Sequence, residues 1–174
     1  MKEASVLTAL VVFVLFIGTA LAQEPTYVGA QKCQICHKTE KQGQQYPLWE
    51  QSKHSKSFAA LSLPEAAEKA KSLGVTTPPA ESPACLKCHS PLCDKSPDLK
   101  VEGVSCEVCH GPGSEYKKLS IMKDKGEAVK NGLVLYGSVD KIKAQCLKCH
   151  ETDHGKAFDF DASWAKIKHS IPKG

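Results

Sequence analysis

The chain has 174 residues, a formal net charge of +4 and no arginine; aromatic residues make up only 6%, yet nine residues are cysteine. Outside the first 22 residues roughly 55 of 152 positions are apolar, which is thin for a single domain that must bury its own core. These numbers argue against an ordinary enzyme built on a large hydrocarbon interior. Something other than side chains is expected to fill the centre.

Met1-Lys2 is a short basic start, Val6–Ile17 is almost entirely apolar, and Ala20-Leu21-Ala22 supplies small residues where a signal peptidase reads. The apolar run falls short of the ~20 residues a membrane span needs. A signal peptide over 1–22 is therefore predicted, cleaved after Ala22 to leave one domain over 23–174 with no integral membrane segment. Next along the chain, Tyr27-Val28-Gly29 leads into Cys33-Gln34-Ile35-Cys36-His37. A helix is predicted over Leu48–Leu61, with Trp49 and Lys53, and His54 and Phe58, at i,i+4 spacing. Pro64 opens a second helix that runs to Leu73 before Gly74, and Thr76–Pro83 is a proline-rich loop.

Cys85-Leu86-Lys87-Cys88-His89 follows, and a 16-residue connection with Pro91, Pro97 and Gly103 leads to Cys106-Glu107-Val108-Cys109-His110. That short connection predicts that the second and third motifs are neighbours in space. Gly111-Pro112-Gly113 ends the third motif sharply. Lysine-rich helical stretches fill Ser114–Asn131, and Val139–Glu151 is predicted as a helix carrying Cys146-Leu147-Lys148-Cys149-His150. Asp161 or Ser163 is expected to cap a last helix through His169. Strand signals are nearly absent.

Eight of the nine cysteines and four of the seven histidines thus fall into one repeated pattern, Cys-x-x-Cys-His. In an exported chain this is the haem c attachment motif. Two thiols at that spacing add across the two vinyl groups of one porphyrin, and the adjacent histidine lands under the iron as its proximal ligand. Two Cys₄ zinc sites would leave the four histidines unexplained. Four short disulfides are a further alternative, but a C-x-x-C loop is tight and usually redox-active. The reading is four covalently attached haem c groups, held by Cys33, Cys36, Cys85, Cys88, Cys106, Cys109, Cys146 and Cys149, with His37, His89, His110 and His150 on the irons. The predicted fold is mainly α with long loops, its short helices wrapped around a stack of four haems that serve as the core.

Three histidines remain, His54, His154 and His169, and all three are expected to be sixth ligands. Four irons and three spare histidines leave one iron that is five-coordinate, ligated by another group, or completed by a second subunit. Met122 in Leu119-Ser120-Ile121-Met122 reads as packing rather than ligation. Cys93, the odd thiol, reads as a residue packed against haem. The lysine pairs Lys117-Lys118, Lys123-Lys125 and Lys141-Lys143 read as solvated helix faces before docking patches.

These motifs resemble the tetrahaem cytochromes of the cytochrome c-554 type, electron acceptors for hydroxylamine oxidation. The resemblance rests on Tyr27-Val28-Gly29, on Trp49 with His54-Ser55-Lys56-Ser57-Phe58, and on the block from Gly103-Val104 through Gly111-Pro112-Gly113-Ser114-Glu115. It closes with His154 and Phe158-Asp159-Phe160…His169. It implies that His54 serves the third haem, that His169 serves the first, and that the second haem is left open. A histidine that usually follows the Gly-Pro-Gly block is replaced here by the neighbourhood of Tyr116, so His154 becomes the substitute ligand of the fourth haem.

The functional expectation is an exported electron carrier, periplasmic or extracellular, with redox proteins as partners. One alternative is a subunit of a polymerising electron-conducting filament, in which self-association supplies the missing histidine. The other is a small redox enzyme acting at a five-coordinate haem. Nucleic-acid binding has no support in an exported chain without arginine.

Overall fold

In the computed structural model the described residues are 24–151 and 156–169. The proposed signal segment and His154 lie outside them. Among the described residues the secondary structure is entirely helical, as short helices joined by turns. In chain order these are α1 (Ala30–His37), α2 (Gln45–Gln51), α3 (Pro64–Ser72), α4 (Pro83–His89), α5 (Cys106–His110), α6 (Leu119–Met122), α7 (Lys125–Lys130), α8 (Val139–His150) and α9 (Phe160–Ile167). Single 3₁₀ turns cover Glu40–Gln42, Ala59–Ser62 and Pro97–Glu102. The mainly α fold with long loops is thus observed.

Local sequence chemistry explains where these helices start and stop. Proline opens α3 and α4, where its missing N–H costs no hydrogen bond. The helix expected over Leu48–Leu61 does not run through. It begins earlier, at Gln45, and stops at Gln51, because Ser52 turns extended (φ −75°, ψ 166°). The serines that follow divert the backbone: Ser52 Oγ donates to the Trp49 carbonyl at 2.7 Å and Ser55 Oγ to the Glu50 carbonyl at 2.9 Å. Side-chain hydroxyls that satisfy carbonyls in this way compete with helix continuation. His54 therefore stands in a turn, freed from a helical face.

The last helix also differs from expectation. Asp159 caps α9, accepting the Ala162 N–H at 3.0 Å, rather than Asp161 or Ser163. The helix ends at Ile167, where Lys168 leaves the helical region (φ −58°, ψ 135°), so His169 emerges beyond its end. The lysine-rich stretch 114–131 resolves into α6 and α7, with Met122 packed on the buried Tyr116, Ala128 and Leu133.

That small cluster is typical of the protein-built core, which is slight. The buried apolar residues are mostly single and scattered, several of them alanines. Meanwhile Leu63 and Leu73 are 54% and 58% exposed, and Leu48 and Val134 are similarly uncovered. All four line one partly open cavity of about 2040 Å³. A single small-molecule site is usually about 300–1,000 Å³, so the space between the helices exceeds what one ordinary ligand fills.

Around this cavity the main chain is fastened by two carboxylates. Glu107, in α5, is only 1% exposed. Its oxygens accept the N–H groups of Val28 (3.0 Å), Gly29 (2.8 Å) and Gly113 (2.6 Å). Glu102 accepts the Ala30 N–H at 3.0 Å. The first turn of α1 has no cap of its own, so two carboxylates from elsewhere in the chain satisfy its otherwise unpaired donors and complement the positive end of the helix. Gly29 must be glycine here: its φ is +85°, and a Cβ would lie 2.8 Å from Glu102 Oε1.

Candidate functional site

Each Cys-x-x-Cys-His run sits on its own helix, α1, α4, α5 and α8, and in all four the histidine is the last helical residue. Positions i, i+3 and i+4 share one helical face. Each helix end therefore presents two thiols and one imidazole together. No disulfide joins any of the nine cysteines.

The imidazoles are oriented by their Nδ1 atoms. His89 Nδ1 lies 2.9 Å from the Ser57 carbonyl oxygen, His110 Nδ1 3.1 Å from the Val134 carbonyl oxygen, and His37 Nδ1 3.3 Å from Gln45 Oε1. A carbonyl oxygen only accepts, so Nδ1 carries the proton in each case. Nε2 is then left with its lone pair, the tautomer a metal requires. The Val134 N–H returns a bond to the His110 carbonyl at 2.9 Å, locking that histidine from both sides.

Two further histidines face these motif histidines. The rings of His54 and His150 stand 6.2 Å apart between centroids, with planes at 44°. Those of His110 and His169 stand 5.9 Å apart, at 47°. A metal bonded to two imidazole nitrogens at about 2.0–2.1 Å each, with ring centres roughly 1 Å further out, sets centroids about 6 Å apart. Both pairs match that separation. Among the described residues no three or more His, Cys, Asp or Glu side chains gather as a protein-only metal site. The paired imidazoles instead suit an iron whose equatorial ligands come from a porphyrin, and the cavity supplies room for it beside Cys85, Cys88, Cys146 and Cys149.

This pairing corrects the assignment that the resemblance implied. His54 faces the histidine of the fourth motif, not the third, and His169 faces that of the third, not the first. The reason for the first correction lies in the broken helix. The His54 carbonyl accepts the Val104 N–H at 3.0 Å, which docks its backbone on the approach to the third motif. The turn then points its ring away, toward His150. The second follows from the end of α9, since a residue past the helix terminus reaches where a helical face would not.

Burial lowers the pKa of His54, helped by the neighbouring His150. Burial also lowers that of His110, outweighing its bond to Val134. Both stay neutral, as ligation demands. Hydrogen bonding to Cys33 and then burial push the Cys106 thiol well up, while the same bond lowers Cys33; burial raises Cys109 to about 11, and burial beside Cys88 raises Cys149 to about 12.

The contacts between motifs also fix their spatial order. Cys33 hydrogen-bonds Cys106, bringing the first motif to the third. Gln145 Nε2 donates to the Val108 carbonyl at 3.2 Å, bringing the fourth to the third. Cys88 hydrogen-bonds Cys149, bringing the second to the fourth. The thiols of the third motif thus face both the first and the fourth, and Cys149 of the fourth stands near Cys88 of the second as well as Cys109 of the third. The connection between the second and third motifs includes the 3₁₀ turn Pro97–Glu102 and the positive-φ Gly103, which redirect the chain before α5.

Cys93 lies outside this arrangement, its Sγ 3.7 Å from Asp94 Oδ1. Leu92 and Lys95 flank it on the cavity wall. Several residues around the site were given no role from sequence. Glu107 occupies a variable position inside the third motif and Gln45 is an ordinary polar residue, while Ser57 and Phe158 entered only as part of the resemblance; Phe158 stacks on His150 at 4.5 Å and 12°. Only the glycine that precedes the third motif hinted at such crowding: a Cβ on Gly103 would lie 2.4 Å from Ser57 Oγ.

Residues 32–111 match the family model described as cytochrome c554 and c-prime. Over 160 residues the chain is 28% identical to cytochrome c-554 of Nitrosomonas europaea, a match covering 83% of this chain and 66% of that relative. The chain thus spans just under two thirds of the relative's length. No solved structure matches it.

Proposed function

We propose that the chain, similar to cytochrome c-554 over most of its length and matching that family's model over residues 32–111, is an exported electron carrier with four covalently attached haem c groups. That similarity supports a c-type cytochrome of electron transfer. The number four, the export and the ligand roles are our reading. The observation that carries it is the pair of imidazole couples, His54 with His150 and His110 with His169, each at metal-spanning distance and each including the histidine of one attachment motif.

In this reading Cys33 and Cys36, Cys85 and Cys88, Cys106 and Cys109, and Cys146 and Cys149 form the thioether links. His37, His89, His110 and His150 are proximal ligands. His169 completes the third site and His54 the fourth, leaving His154 for the first or second. When bound, haem iron supplies a one-electron couple between ferrous and ferric states. The protein's part is to fix the ligands, so that little reorganises as charge changes. Carbonyls at Ser57 and Val134 hold the tautomers of His89 and His110, and burial keeps His54 and His110 neutral. The motif contacts give an electron path in the order first, third, fourth, second. Residues 1–22 serve as the export signal, residues 23–174 as the working domain in the periplasm or outside the cell, and other redox proteins as donor and acceptor. No helix among the described residues is long and apolar enough to cross a membrane.

The experiment is intact-protein mass and haem stoichiometry on chain matured in a host with haem-attachment machinery. Four haems per chain, with the mass of residues 23–174, is the expected result. Fewer than four, or a retained 1–22 segment, contradicts the proposal.

A further inference from the structure

One residue outside every attachment motif joins the surroundings of two of them. Ser57 lies in the turn that follows His54. Its hydroxyl stands 2.8 Å from the His54 carbonyl oxygen and 2.8 Å from the His89 carbonyl oxygen, and it accepts the Val104 N–H at 3.1 Å. Its own carbonyl accepts the proton on His89 Nδ1 at 2.9 Å. A hydroxyl has one proton, so the two carbonyls share a single donor and are drawn to the same point. Gly103 presses against this junction, since a Cβ there would lie 2.4 Å from Ser57 Oγ and 2.7 Å from the His54 carbonyl oxygen. From the other side Trp49 Nε1 donates to the Val104 carbonyl at 2.8 Å.

We infer that Ser57 is a positioning residue that couples the axial ligands of two haems, the second through His89 and the fourth through His54. The inference rests on the haem reading above. A carbonyl that accepts from Nδ1 pins the proton there and makes Nε2 a stronger donor to iron. A more electron-rich axial ligand favours the ferric state and lowers the potential. The hydroxyl, bonded to the His89 and His54 carbonyls, sets how firmly the His89 and His54 backbones are held against the Ser57 turn. Its loss leaves the Val104 N–H to the His54 carbonyl alone and releases the His54 and His89 carbonyls from their common donor. The His89 Nδ1 bond then lengthens while the His54 ring loses its fixed presentation to His150. One deletion is therefore felt at two irons.

The test is Ser57→Ala in the haem-loaded protein, read by a spectroscopic redox titration and by EPR of the oxidised form. Two of the four potentials should rise and one low-spin signal should change its g values, while the remaining two potentials stay in place. Ser57→Thr, which keeps the hydroxyl, should restore the parental titration. Ser72→Ala removes an exposed hydroxyl bonded to the Lys69 carbonyl and should leave all four potentials alone. A parental titration in Ser57→Ala overturns the inference, and so does a uniform shift of all four. If Ser57→Ala loads fewer haems than the parent, Trp49→Phe, which opens the same junction at Val104, should move the same two potentials, and failure there also overturns it. Haem stoichiometry of the parent is measured first: a parent without four haems defeats the haem reading, whereas a four-haem parent with an unmoved Ser57→Ala defeats this inference alone.

Discussion

At the scale of single residues, Glu107 shows how a charge can be worth keeping inside a protein. Its carboxylate is all but sealed from water, and each oxygen accepts two N–H contacts among those of Val28, Gly29 and Gly113. A carboxylate only accepts, and every neighbour is a donor. Glu107→Gln turns an amide N–H₂ toward one set of those donors, so bonds are lost and a donor is left facing donors. With hydrogen bonds to charged groups worth about 1.5–3 kcal/mol each, the variant should lose about 2–3 kcal/mol, measured by denaturant unfolding of the haem-loaded protein. A loss below the error of that measurement would contradict the role. Nothing about Glu107 was legible in the sequence, because its position is a variable one within the motif and two of its three partners, Val28 and Gly29, lie 79 and 78 residues away.

The buried histidines add a pH dependence. His54 and His110 have pKa values lowered from 6.5 in the folded state, by burial first. As pH falls below about 6.5, the unfolded chain takes up protons that the folded chain refuses. Stability therefore falls with acidification through that range and is fully retained above it. Unfolding free energies at pH 7.5 and pH 5 should differ in that direction, and a flat profile would count against the burial of both rings. The seven histidines themselves were legible from motif and arithmetic. Their partners were not, because pairing is set by where the chain turns.

At the scale of elements, α9 illustrates that dependence. Its sequence announced a helix near the C-terminus, but the cap is Asp159 and the helix ends two residues before His169. That early end is what lets His169 stand opposite His110. Asp159→Ala removes the bond to the Ala162 N–H and should cost about 1 kcal/mol. Its sharper consequence is spectroscopic: the low-spin signal of the third haem should broaden or shift while the other signals stay. An EPR spectrum identical to that of the parent would show that the cap does not position His169. The region around His54 teaches the same lesson in reverse. The i,i+4 spacing of Trp49, Lys53 and Phe58 looked helical, yet hydroxyls at Ser52, Ser55 and Ser57 claim the carbonyls and break the pattern. Serine-rich stretches compete with helix in a way that apolar periodicity does not register.

At the scale of the whole molecule, the sequence's poverty in apolar and aromatic residues and the structure's large cavity are two views of one fact. Leucines and valines that remain uncovered line a space of about 2040 Å³, and residues of the second, third and fourth attachment motifs open onto it. The composition made a non-protein core legible, and the motif made its chemistry legible. The contacts of the first motif with the third, and of the second with the fourth, were not legible, since each joins motifs far apart along the chain.

The central claim is that the facing imidazoles are axial pairs on irons, and EPR of oxidised, monomeric His54→Ala against the parent tests it most directly. Removing His54 should abolish one low-spin ferric signal and create one high-spin signal, with the low-spin signal assigned to His110 and His169 intact. A His54→Ala spectrum that keeps every low-spin signal of the parent would contradict the claim.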